Sequence, residues 1–160
     1  VKSKKGYKQE RQNSGKQQGF TLLEILTVLT IISILAMIAI PTYLSFRTRS
    51  KVAGEIVLID PVKDRLVEEY LSNGKWPANN NDAFLKDKSS YHGNYLQSVE
   101  ISDKPVPGSI ILTYDTSKLP SLGTNNTIIF YPAVDSKTNI VNWSCDKGTI
   151  EDTYRPPRCR

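Results

Sequence analysis

Few side chains in this sequence have the type and spacing for chemistry, and the sharpest of them is Glu24. It lies four residues into the run Phe20–Ile40 (FTLLEILTVLTIISILAMIAI), where 16 of 21 residues are apolar, four are Thr or Ser, and Glu24 alone is charged. A carboxylate inside a membrane-spanning helix costs about 2.5–3.5 kcal/mol on insertion scales, so it usually has a partner or a role. So close to the end of the run, the acid has a simpler reading too, as a group held at the membrane interface, where that cost falls. Gly19 stands just before the run, at the end of a basic stretch. A cut after Gly19 would free a positive α-amine on Phe20, one helical turn from Glu24. Glu24 could neutralise that amine within its own chain or on a neighbouring one. The second arrangement would set an axial stagger between copies, because any other register leaves a buried charge unpaired. Without a cut, Gly19 is a flexible joint before an anchor, and the residues alone leave both readings open.

The remaining candidates are few. Cys145 and Cys159 enclose 13 residues, a spacing unlike the CxxC of redox pairs. Arg155, Arg158 and Arg160 cluster near the end of the sequence. They read either as solvated surface or as a contact for DNA or another anionic surface, since displayed Arg residues engage phosphate. Tyr91, Tyr95, Tyr114, Tyr131 and Trp143 read as sheet and core aromatics before they read as a base-stacking platform. His92, the single histidine, lies in a polar stretch with no nucleophile motif around it. One His and two Cys cannot complete a tetrahedral zinc site within one chain. Neither a Walker A sequence nor a GxGxxG is present. No catalytic constellation can be assembled, so the expectation is a non-enzyme without cofactor or metal.

Charge narrows the classes further. The 160 residues carry a net charge of +5, but Lys2, Lys4, Lys5, Lys8, Arg11 and Lys16 oppose Glu10 alone in the first 19. Residues 20–160 hold 15 basic and 15 acidic side chains. The basic character belongs to the tail, which removes most of the case for a nucleic-acid-binding domain.

The elements that must position these residues follow from periodicity. As a helix, Phe20–Ile40 would extend about 31 Å, matching a hydrocarbon core of roughly 30 Å. The cations before it predict the tail inside and everything after it outside the cytoplasm. That places both cysteines in an oxidising compartment, where a disulfide worth about 3 kcal/mol is expected. Pro41 predicts a kink near the membrane exit. Beyond it Val52, Ile56, Ile59, Val62, Leu66 and Tyr70 recur at helical steps on one face, and Lys63 falls close enough to that face that it must snorkel or be displaced. Pro61 predicts a second bend, and Asn73-Gly74 then Pro77 a stop. The helix is expected over residues 20–72. A polar loop follows over 73–94, with a short helical turn near Asp82–Lys86. Four strand-like runs come next: Tyr95–Ile101, Ser109–Asp115, Thr127–Ala133 and Asn139–Ser144. Their short connections favour an antiparallel meander. The expected class is α+β, a long kinked N-terminal helix packed on a four-stranded antiparallel sheet.

The segment KQQGFTLLEILTVLTIISILAMIAIP resembles the N-terminus of a type IV prepilin. The basic leader ending in Gly19, then Phe20, Thr21-Leu22, Glu24 and a helix reaching Pro41 carry the resemblance, with Tyr43 and Arg49 falling where such pilins place Tyr and Arg. IVNWSCDKGTIEDTYRPPRCR is similar to the C-terminal disulfide loop of type IVa pilins, and EYLSNGKWPANN to the family's helix-to-loop junction. Ser33 departs from the Gly of many members, and the 19-residue leader is long for this class. The resemblance implies a pilin fold, cleavage between Gly19 and Phe20 by a prepilin peptidase, N-methylation of Phe20, and Glu24 as the assembly residue. It implies four regions: a leader (1–19), a transmembrane and filament-core helix (20–40), its amphipathic half (41–72) and a globular head (73–160). It further implies a subunit held in the inner membrane with its head in the periplasm. Assembly machinery would then polymerise it with other pilin subunits into an extracellular fimbrium for adhesion, twitching motility or DNA uptake, touching DNA or a host surface. A minor pilin, a type II secretion pseudopilin, and a bitopic membrane protein with a non-polymerising binding head are the alternatives.

Overall fold

The computed structural model describes residues 19–160. Residues 1–18 of the expected leader lie outside the described residues. The chain divides into two compact units, the first ending at Ala39 and the second comprising Ile40–Arg160.

The first unit is helical. Helix α1 (Leu22–Glu55) begins here and runs unbroken through Pro41. Thr21 caps it, its Oγ1 accepting the Glu24 backbone N–H at 3.2 Å. That bond satisfies one of the orphan amides every helix start leaves, and it puts Glu24 in the first turn, where the helix dipole favours negative charge. The helical run Leu22–Asn73 contains an 18-residue stretch of mean hydropathy 2.6, none of it buried, long and apolar enough to cross a membrane.

In the second unit the helical run changes geometry. After Glu55 a 3-10 segment (Ile56–Ile59) leads into α2 (Asp60–Asn73). The cause is Pro61. It has no N–H for the Val57 carbonyl, and its ring crowds that position. The Asp60 N–H bonds Val57 instead, which tightens the turn, and Pro61 settles into the first turn of α2 where its missing donor costs nothing. The expected bend is thus a 3-10 turn just before the proline. Gly74, at φ 69°, ends α2 in a left-handed cap with its N–H on Tyr70 O at 2.8 Å.

Strands β1 (Leu96–Ser102), β2 (Ser109–Tyr114), β3 (Thr127–Val134) and β4 (Val141–Gly148) form an antiparallel meander in the order β1-β2-β3-β4. Alternate residues of β2 and β3 point inward, as a one-faced sheet requires. Val52, Ile56, Ile59, Val62 and Leu66 from the helical run are fully buried in one core with Val99, Ile101, Ile110, Leu112, Ile128 and Phe130 from the sheet. Each such side chain contributes about 1.5–3 kcal/mol on leaving water. Of the two outcomes open to Lys63, it snorkels. Its side chain is largely covered, its Nζ reaches Asp60 at 3.0 Å and it lies 4.7 Å over the Phe130 ring.

Two expected elements are displaced. No helical turn forms over 82–86. Asn79 Nδ2 donates to Asp82 Oδ2 and Asn79 Oδ1 accepts the Asp82 backbone N–H, both at 3.0 Å, around a tight turn, and a 3-10 turn follows at Lys88–Ser90. Asn and Asp side chains compete with the helix for its own backbone groups there. Strand β4 also starts later than the expected Asn139 and runs further. Asp135 accepts from the N–H groups of Lys137 and Thr138, and Asn139 takes a left-handed φ of 52°, so the turn absorbs residue 139 and β4 carries Cys145 within the strand.

Candidate functional site

The apolar half of α1 is the part of this molecule that most needs an explanation. From Phe20 to Ile40 its large side chains are 47–85% exposed. Its hydroxyls do not share that need. Thr27 Oγ1 bonds Glu24 O at 2.8 Å, Thr30 bonds Leu26 O at 2.8 Å, and Ser33 bonds Leu29 O at 2.7 Å. Each is satisfied inside the helix, so each can enter an apolar medium at little cost. Among the described residues, the Glu24 carboxylate takes no hydrogen bond or ion pair from its own chain. The span therefore presents a greasy surface with a single unmatched charge near its start, beside Gly19 and the 80%-exposed Phe20.

At the other end of the sequence, Cys145 and Cys159 form a disulfide with Cα atoms 4.6 Å apart and both residues buried. The loop it closes is held from two sides. Arg49 on α1 donates through Nε and Nη2 to the Thr153 carbonyl, at 3.0 and 2.8 Å. Arg155 turns inward.

Arg155 corrects the sequence reading of a basic surface cluster. It is 9% exposed, and its guanidinium donates to the carbonyls of Ile150 (2.7 Å), Gly148 (2.9 Å) and Asp146. A loop bent back on itself leaves carbonyls without ladder partners, and the planar guanidinium fork supplies several donors at once. Arg155 is therefore a structural pin and is not displayed to an anionic surface. Arg158 and Arg160 are exposed, with Arg160 Nε on the Arg155 carbonyl at 3.3 Å.

The aromatics take structural places. Tyr114 is fully buried with its hydroxyl on Val52 O at 3.0 Å, and Tyr91, Tyr95 and Trp143 pack against the core. Tyr131, half-buried, donates to Asp146 Oδ1 beneath Lys147. That bond holds the Asp146 carboxyl below its ordinary range and pushes the Tyr131 phenol up. Sequence reasoning missed Asn80. Buried, it gives Nδ2 to the carbonyls of Lys86 and Val99 and takes the Ile101 N–H on Oδ1 at 2.8 Å, stitching the loop after α2 to β1. Its place within Asn79–Asn80–Asn81 gives no sign of which asparagine turns inward.

Residues 48–160 match the family model for the pilins of bacterial filaments. This chain belongs to the pilin family. Residues 14–40 match the prokaryotic N-terminal methylation motif. The pilin chain is 36% identical over 112 residues to a fimbrial protein of Neisseria meningitidis serogroup A, covering 70% of this chain and 61% of that one. It is 36% identical over 113 residues to the type IV major pilin protein PilE1 of Neisseria gonorrhoeae, covering 70% and 63%. Fimbrial protein EcpC of Eikenella corrodens is 30% identical over 144 residues, covering 90% and 91%. This pilin thus spans about three-fifths of the length of the Neisseria relatives. A crystal structure of a type IV pilin from Pseudomonas aeruginosa shares the fold, with a TM-score of 0.51 at 19% identity over 71% of this chain and 97% of that one.

Proposed function

We propose that this chain is a structural subunit of a type IV pilus. It is made as an inner-membrane precursor with its head in the periplasm, trimmed by a prepilin peptidase between Gly19 and Phe20, and N-methylated on Phe20. Assembly machinery then draws it into an extracellular homopolymer. The observation that carries this reading is the exposed apolar span of α1, saturated in every hydroxyl and bearing one unmatched acid at its start. In lipid that span has no hydrophobic reason to leave, so packing and charge pairing must tip the balance. Glu24 supplies the pairing by meeting the Phe20 amine of a neighbouring subunit. A head-to-tail contact of this type does not close on itself and so builds a fibre. The disulfide-closed head then forms the filament surface, and its work is structural and non-enzymatic. Adhesion, motility or DNA uptake is the role proposed for such a surface.

Mass measurement of the mature N-terminus in sheared surface filaments tests this. The expected result is a chain beginning at a methylated Phe20. An intact basic tail would overturn the reading and favour a bitopic membrane protein, and a cut after residue 40, which removes the span, would overturn it as well.

A further inference from the structure

The head holds one acid that its fold leaves half satisfied. Glu55, the last residue of α1, is 6% exposed. Its Oε1 accepts the Tyr95 backbone N–H at 3.0 Å, and its Oε2 is buried with no hydrogen-bond partner. A bare carboxylate oxygen away from water is costly, and folded proteins rarely leave one without a donor.

Glu55 lies in the wall of a groove of about 450 Å³, lined also by Gly54, Leu58, His92, Gly93 and Asn94. Gly93 keeps this wall low. A Cβ on Gly93 would sit 1.7 Å from Oε2, so any larger residue would collide with the carboxylate. The same point lies 2.7 Å from Leu58 Cδ1, which makes that methyl a neighbour of Oε2. Leu58 is 48% exposed, so its side chain has room to change rotamer at the groove mouth. The nearest cation in sequence, Lys51, stands one helical turn before Glu55 but lies over the Tyr95 ring, 4.6 Å from its centroid.

We propose that this groove receives a lysine side chain from a second copy of the chain, whose ammonium satisfies Glu55 Oε2. One free oxygen suits a compact ammonium better than the two-pronged guanidinium, and a flexible four-carbon stem can reach past Leu58. The surface supplies the donor. Among the described residues, the exposed Lys75, Lys86, Lys104 and Lys137 have ammonium groups with no ion pair or ring contact, whereas Lys63, Lys88 and Lys118 are paired with acids. The inference rests on the filament reading, since it needs subunits side by side.

A zero-length carbodiimide couples a carboxylate only to an amine already touching it. Sheared filaments of the processed full chain are treated with it, alongside the same chain dispersed in detergent. The expected result is a covalent dimer whose crosslinked peptide joins Glu55 to a lysine of the other copy, absent from the dispersed chain and from filaments of Glu55→Gln. Filaments that yield no Glu55 adduct, or a Glu55–Lys51 link within the monomer band, overturn the proposal while leaving the filament reading intact. Failure of the wild-type chain to form filaments at all overturns both, and sedimentation before crosslinking tells the two failures apart.

Discussion

Tyr114 on β2 donates its buried hydroxyl to the backbone carbonyl of Val52 on α1, 62 residues earlier, at 3.0 Å. The bond falls close to the point where α-helix gives way to the 3-10 turn, and it fastens the sheet to the helical run. Tyr114→Phe keeps the packing and removes this bond, for an expected loss of about 1 kcal/mol in unfolding free energy. Alkaline behaviour supplies a second measurement. Burial, helped by the nearby Glu55 carboxylate, pushes the Tyr114 phenol far above its ordinary range. With the folded pKa raised, its stability contribution is whole below the unfolded value of about 10 and is lost as pH rises beyond it. Denaturant melts from pH 8 to 11 are expected to show a smaller fall for Tyr114→Phe than for the wild-type chain.

Arg155 is expected to be a stability residue. Arg155→Lys keeps the charge but cannot reach three carbonyls in one plane, and an expected loss of about 2–3 kcal/mol follows from the charged hydrogen bonds given up. Charge reversal at the exposed Arg158 and Arg160 is expected to shift unfolding by less than about 0.5 kcal/mol. Urea melts of the three variants check the contrast. Equal effects would return Arg155 to the surface cluster.

Acid stability has identifiable sources. Asp115 accepts from the Ser117 hydroxyl and N–H at 2.6 and 2.9 Å, and Asp135 accepts from the N–H of Lys137 at 2.8 Å. These bonds hold both carboxyls below their ordinary value. For a depressed pKa the contribution is present above the unfolded value of about 3.9 and is lost as pH falls through the folded value. Thermal midpoints of the wild-type chain are expected to drop below about pH 4. The double variant Asp115→Asn, Asp135→Asn is expected to flatten that drop.

Glu24 is where assembly is expected to fail first. Glu24→Gln removes the charge, keeps the helix-starting bond from the Glu24 amide to Thr21, and leaves the head untouched. Surface filament yield is expected to fall to background while chain level and head unfolding stay at wild-type values. Filaments at wild-type yield from this variant, with no second-site change, would sink the charge-pairing account.

Composition and periodicity, both local, decided much of this protein before any fold was known. The Phe20–Ile40 run, the Gly19–Phe20–Glu24 signature, the buried face Val52–Leu66 and the four-strand meander each follow from the order of neighbours along the chain. For Lys63 the sequence left two outcomes, snorkelling or displacement from the apolar face, and the fold took the first. The tertiary structure decided what depends on groups distant in sequence. Arg155 turned inward because the closing loop left the carbonyls of Asp146, Gly148 and Ile150 to be satisfied. Asn80 was chosen over its two neighbours by the edge of β1. Glu55 kept one oxygen bare because Gly93 and Leu58, brought in by the loop and the 3-10 turn, close over it without offering a donor. A polar side chain's fate is set by which donors and acceptors the finished fold brings within about 3 Å of it, and those pairings form only when distant segments meet.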